Sequence, residues 1–182
     1  RAELSTPGNS SPVVSGDKVF VTVATEDGKH RSLICLNRQD GKQLWERTVE
    51  YDQNEPTHKT NPYAGSSPAC DGERVVVWHS SAGMYCYDYE GNLLWNVDLG
   101  EFIHIWGYGA SPIFYKDLVI NNCGPGERTF MVALDKSLAY RRSRRSQRPG
   151  GRQATVDRLL EHAHADPDRW PGSTRGELPQ PR

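Results

Sequence analysis

The chain has little of what usually marks an enzyme in sequence. It contains no Gly-rich phosphate loop, no nucleophile elbow and no metal box, so phosphate-handling, acyl-transfer and metal-hydrolase chemistry have no visible carrier. Four cysteines occur, but neither a Cys-Cys dipeptide nor a Cys-x-x-Cys pair, and a zinc site is therefore not expected. Their even number is compatible with an oxidising compartment without establishing one. No initiator Met or apolar leader opens the chain, and no stretch suits a transmembrane segment. The helical period is absent from residues 8 to 137. Residues 138 to 182 lack Lys, Phe and Ile, yet hold ten of the sixteen Arg. Basic residues number twelve against eighteen acidic before Leu138 and ten against five from there on, so the net charge of −1 hides an acidic body and a basic tail.

What is present is repetition. Cys35-Leu-Asn-Arg-Gln-Asp-Gly-Lys-Gln-Leu-Trp45 recurs one residue shorter as Cys86-Tyr-Asp-Tyr-Glu-Gly-Asn-Leu-Leu-Trp95, and Ala133-Leu-Asp-Lys-Ser137 begins a third copy. Upstream of each stands a second anchor: Gly8-Asn-Ser-Ser-Pro12, Gly65-Ser-Ser-Pro68 and Gly109-Ala-Ser-Pro112. Between the anchors lie short β-branched and aromatic runs punctuated by Gly, Asp and Asn. Second strands are read at Val19–Thr22, Val75–Trp78 and Leu118–Ile120, and third strands at Ser32–Leu36, Met84–Tyr87 and Phe130–Leu134. Gln43–Val49 and Leu93–Val97 read as fourth strands carrying the tryptophan. A period of roughly 40 to 50 residues built of four short strands predicts an all-β chain, a partial β-propeller of about three four-stranded antiparallel blades. The blades are placed at about 8–51, 63–100 and 107–137, the last incomplete.

Each anchor has a physical role. The small residue (Cys35, Cys86 or Ala133) leaves room for a neighbour, the Asn or Asp after the next residue caps the turn, and Trp45 and Trp95 have the area to bridge adjacent blades. Cys35, Cys86 and Cys70 fall on strand positions and read as small hydrophobes, whereas Cys123 is placed in or next to a loop. These residues resemble the tryptophan-docking motif of quinoprotein-type propellers with pyrroloquinoline quinone-like repeats, Ala-x-Asp-x-x-Thr-Gly-x-x-x-Trp. The first copy matches its length, with Cys35, Asn37 and Asp40 in place of Ala, Asp and Thr; the second loses one turn residue and the third stops after Ser137. The stretches His58-Lys-Thr-Asn-Pro-Tyr63, Glu101-Phe-Ile-His-Ile-Trp-Gly107 and Cys123-Gly-Pro-Gly-Glu-Arg128 look like a bacterial, planctomycete-type branch of that superfamily.

Propellers of this type have seven or eight blades, so residues 1–137 are expected to be an incomplete fragment of a longer protein, entering at the end of an outer strand. The Arg/Pro-rich residues 138–182 are expected to be a disordered or short-helical tail, with the helix over 155–164. One reading makes them a frameshift product: Ser137-Leu-Ala-Tyr140 can be encoded so that a one-base slip yields the Thr-Gly that the motif requires. As genuine protein, Arg141-Arg-Ser-Arg-Arg145 reads as a solvated arm, with nucleic acid or anionic lipid as the sharper alternative.

Loops on one propeller face converge and commonly bind ligands, which singles out His58, His104 and Trp106 as ligand-facing, against the alternative of histidines bonded to backbone. Glu101 and Glu127 have no partner at recognisable spacing, and no residue is assigned to catalysis, metal or cofactor. The resemblance implies three classes: a non-catalytic interaction scaffold like the propeller lipoproteins of outer-membrane assembly, a pyrroloquinoline quinone-dependent dehydrogenase using calcium, or a small-ligand-binding propeller. The dehydrogenases need a full ring, calcium ligands and a catalytic Asp, none of which maps onto this chain. A scaffold for a protein partner or small ligand is therefore expected, in a periplasmic or other extracytoplasmic parent. No nucleic-acid role is expected, and quinone with calcium only in a full-length parent.

Overall fold

The computed structural model describes residues 2–126 and 128–137, all within the first of two compact units, residues 1–146. The expectations placed on residues 138–182 and on Glu127 lie outside the described residues. Eleven strands form three antiparallel sheets, in which each strand pairs with the next in sequence. The first sheet is β1 (Val13–Ser15), β2 (Lys18–Ala24), β3 (His30–Asn37) and β4 (Gln43–Glu50). The second is β5 (Ala69–Cys70), β6 (Arg74–Trp78), β7 (Met84–Asp88) and β8 (Leu93–Val97), and the third is β9 (Ile113–Tyr115), β10 (Leu118–Cys123) and β11 (Phe130–Asp135). The fold is thus the all-β partial propeller that the repeats predict, with three strands in the last blade among the described residues.

Register makes the repeat exact at the motif residues. Cys35 stands opposite Phe20 and Trp45, Cys86 opposite Val76 and Trp95, and Ala133 opposite Ile120. A register shift follows Cys35 and Cys86 alike, where the chain turns toward the fourth strand. In all three copies the following Asn or Asp holds that turn. Asn37 Oδ1 accepts the Gln39 N–H, Asp88 Oδ1 the Glu90 and Asn92 N–H groups, and Asp135 Oδ1 the Ser137 N–H.

One strand differs from its apolar pattern. The pattern in β10 ends at Ile120, yet Asn121, Asn122 and Cys123 continue the ladder opposite Val132, Met131 and Phe130. Backbone pairing to β11 carries the strand past its apolar residues, and this makes Cys123 the last residue of the strand, next to the loop. Burial pushes the thiols of Cys35 and Cys123 up to about 11 and those of Cys70 and Cys86 up to about 12, so all four stay protonated at neutral pH.

Neighbouring blades are tied at both edges. Near the inner strands, the Ser11 N–H donates to Ser67 Oγ at 2.8 Å and the Ser67 N–H to Ser111 Oγ at 3.0 Å, so the Ser-Pro anchors form a ladder from blade to blade. At the outer strands the Trp45 indole N–H donates to the Tyr89 carbonyl at 2.9 Å and that of Trp95 to the Lys136 carbonyl at 3.0 Å. Gly91, at φ +84°, lies under the Trp45 ring, where a Cβ would come within 2.9 Å of the indole. The two tryptophans differ in burial, Trp95 being 2% exposed and Trp45 only half-buried. Trp95→Ala is therefore expected to cost roughly 3–5 kcal/mol in chemical denaturation, and Trp45→Ala distinctly less. Equal losses would show that burial does not set the contribution of the indole.

Candidate functional site

The up-and-down strand order puts the β2–β3, β4–β5, β6–β7, β8–β9 and β10–β11 connections at one end of the sheets and the tight turns at the other. His58, His104 and Trp106 all belong to the first end, here termed the loop face. Its foundation is a buried ion pair that sequence reasoning missed. Arg31, 1% exposed at the start of β3, donates from Nη1 to both carboxylate oxygens of Glu55 at 3.3 and 3.4 Å and to the His79 carbonyl at 2.6 Å. Its Nε donates to the Gly28 carbonyl, and its guanidinium lies 5.0 Å from the Tyr51 ring centroid and 4.7 Å from that of Tyr63. Glu55 also accepts the Ser81 N–H at 3.0 Å, while its carbonyl accepts the Tyr63 hydroxyl. A buried charge pair is tolerated only when its remaining donors and acceptors are satisfied, and here the partners come from three separate connections, β2–β3, β4–β5 and β6–β7. Nothing local in the sequence marks Arg31 and Glu55 as partners, because 24 residues separate them.

The next layer carries the residues singled out from sequence. Asn61 Nδ2 donates to the Trp106 carbonyl at 2.7 Å and joins the β4–β5 connection to the β8–β9 one. The His58 ring lies 4.6 Å from the Trp106 ring, and its Nδ1 bonds Thr60 Oγ1 at 2.8 Å. The His104 ring does not join that stack. It faces Tyr108 at 6.3 Å, and its Nδ1 accepts the Trp106 N–H at 3.4 Å. Trp45 and Trp95 bridge blades, as described above.

Residues 104–107 form a turn closed by the Gly107 N–H on the His104 carbonyl at 2.9 Å. Gly107 has φ +69°, and a Cβ there would run into Thr57 Oγ1, so both the turn and its seat require glycine. On the chain side, the buried Phe102 donates its N–H to Ser81 Oγ at 2.9 Å, and Arg128 donates to the Leu99 and Glu101 carbonyls, both at 3.0 Å. The result is a fixed tip with its apolar side chains outward: Ile103, Ile105 and Trp106 are 64%, 70% and 54% exposed. Large apolar residues held rigid at a surface exact little conformational entropy on binding, which is what a docking anchor requires.

Among the described residues no group of three or more His, Cys, Asp or Glu side chains is gathered where it could hold a metal ion. The buried carboxylate among the described residues is Glu55, already engaged by Arg31 and Ser81. His79 is buried beside the same pair, and burial together with the Arg31 charge lowers it from 6.5 to about 3. The unfolded chain therefore takes up a proton as pH falls through about 6.5 while the folded chain does not. The stability contributed by neutral His79 is complete above that value and declines toward about pH 3. His79→Phe is expected to flatten the loss of thermal stability between about pH 7 and pH 5, a window above the carboxylate range. An unchanged slope would assign that loss to other groups.

The comparisons agree with this architecture. The family model described as "outer membrane protein assembly factor BamB" matches residues 1–159. No curated protein matches the chain. Among solved structures, BamB from Moraxella catarrhalis is 18% identical with a TM-score of 0.50, the match covering 76% of this chain and 40% of that one. A europium-containing methanol dehydrogenase is 17% identical with a TM-score of 0.51, covering 70% of this chain and 23% of that one. The chain thus spans less than half the length of either structure, and at these identities the likeness is one of fold. With its three repeated sheets and the family match over most of its length, the chain belongs to the family of outer membrane protein assembly factor BamB, a quinoprotein-type repeat family.

Proposed function

We propose that the chain is part of a non-catalytic propeller that serves as a protein-interaction scaffold and works in an extracytoplasmic compartment. The observation that carries this reading is the Ile103–Trp106 tip, a turn with three large exposed apolar residues fastened by Asn61, Ser81 and Arg128. An apolar prominence whose histidines, His58 and His104, are engaged with Thr60 and with the turn itself supports docking better than bond-making chemistry. The family description, an assembly factor, points the same way. Among the described residues no helix is long and apolar enough to cross a membrane.

The competing reading is a segment of a quinone-dependent dehydrogenase, supported by the methanol dehydrogenase likeness. Calorimetric titration of the chain with pyrroloquinoline quinone and calcium separates the two. The scaffold reading expects no saturable heat and no dye-linked oxidation of alcohols or sugars. It also expects a photo-crosslinker at position 105 to give a discrete protein adduct in cells that is lost on Trp106→Ala. Stoichiometric quinone binding with alcohol oxidation would establish the dehydrogenase instead.

A further inference from the structure

The two ends of the sheets treat their carboxylates differently. At the turn face, Asp40, Asp71, Glu73, Glu90 and Asp117 are each in an ion pair with Lys or Arg, while Asp17 and Asp88 are in none among the described residues. At the loop face, Glu26, Asp27, Glu50, Asp52, Asp98 and Glu101 are all exposed, and among the described residues none is in an ion pair. The exposed cations in the same connections are Lys29, Lys59 and Arg128, half as many as the acids. Arg31 does not alter that balance at the surface, being buried against Glu55.

Three of these carboxylates belong to the connection that carries the apolar tip or to the one tied to it. Glu101 lies two residues before Ile103, and Glu50 and Asp52 flank the start of the connection whose Asn61 grips the Trp106 carbonyl. The tip is therefore an apolar anchor on a face where exposed carboxylates, here termed the collar, outnumber exposed cations. Unpaired like charges on one face repel each other and are relieved when a partner brings the opposite sign, which favours encounter and fixes orientation. Resting on the scaffold reading above, we infer that the loop face docks a cationic polypeptide segment, one that offers an apolar socket to Ile105 and Trp106 and Lys or Arg side chains to the collar.

A fluorescently labelled probe peptide of alternating Lys and Leu, and its Glu–Leu counterpart, test this by anisotropy against the intact chain. The Lys–Leu peptide is expected to bind and the Glu–Leu peptide not. Binding should weaken about ten-fold between ~50 and ~500 mM salt, and by at least about as much in Glu101→Lys with Asp52→Lys. Trp106→Ala should weaken it as well, and Glu90→Lys at the turn face should leave it unchanged. Equal binding of both peptides, or indifference to collar reversal, overturns the cationic partner; Trp106-dependent binding in that case leaves the scaffold reading standing. Binding of the Lys–Leu peptide that ignores Trp106→Ala overturns the anchored mode and removes the support for both readings. If neither peptide binds, the cationic segment is wrong, and a persisting crosslink at position 105 still supports a scaffold. Transfer of the chain onto neutral phosphatidylcholine vesicles through Ile105 and Trp106 would identify a lipid surface as the occupant and overturn the proposal.

Discussion

A sheet that is apolar on both faces exists in water only between neighbours, and that requirement governs this protein. In the first sheet Phe20, Leu33 and Cys35 point one way, while Val21, Val23, Ile34 and Leu36 point the other. The first set closes only against the second sheet, where Val75, Val77 and Tyr87 complete a shared cluster. Apolar contact alone is non-directional and would let the sheets slide. Polar ties at the inner and outer edges fix the spacing. The serine ladder joins the inner strands, and Trp45 and Trp95 each reach a carbonyl in the turn of the next blade. Tyr89 adds a third kind of tie, its hydroxyl bonded to Ser15 and its ring 5.2 Å from Phe20 across the same crevice.

The loop face inherits its rigidity from those crevices. Arg31 enters from the first blade, His79 and Ser81 from the second, and Glu55 from the connection between them. An unpaired charge in such a place would be costly, so the pair holds only while both blades keep their spacing. The aromatic cluster beyond it follows the same logic between the second and third blades. Phe102 stands edge-on to Trp78 at 5.4 Å and to Tyr108 at 5.3 Å, and the Arg128 guanidinium lies 5.2 Å from the Phe102 ring. The exposed tip thus grows out of a buried base on both sides, which explains how four residues of loop carry three solvent-facing apolar side chains in a fixed geometry.

The repeated parts of this architecture were legible in the sequence because each repeat carries its own local grammar. β-Branched and aromatic runs gave the strands, Asn37, Asp88 and Asp135 gave the turns, and the tryptophans stood ten and nine residues after the small residue. Strand ends were less legible, since pairing to a neighbour extends a strand past its apolar residues, as Asn121 and Asn122 show in β10. At the site, the touching pair His58 and Trp106 lay on segments that sequence reading had marked, whereas His104 turned out to support the turn from within. Arg31, Glu55 and His79 were illegible: their partnership is made by blade packing, and no spacing along the chain encodes it.

The same distinction bears on what the protein does. Repeat positions perform one task, holding blade to blade, and a fold shared with BamB and a methanol dehydrogenase alike does not by itself give function. Function therefore has to be read where the repeat breaks down. The turn face is where it holds best: its loops are short, capped by their own side chains, and five of their carboxylates are paired with nearby cations. The long β4–β5 and β8–β9 connections obey no such rule, since the Asn61 side chain of one bonds the Trp106 carbonyl of the other and the second raises apolar residues into solvent. Folding alone gives no reason to expose Ile103, Ile105 and Trp106 together or to leave the surrounding carboxylates unpaired, because both choices cost stability in an isolated chain. An encounter with another surface is the condition under which each becomes favourable.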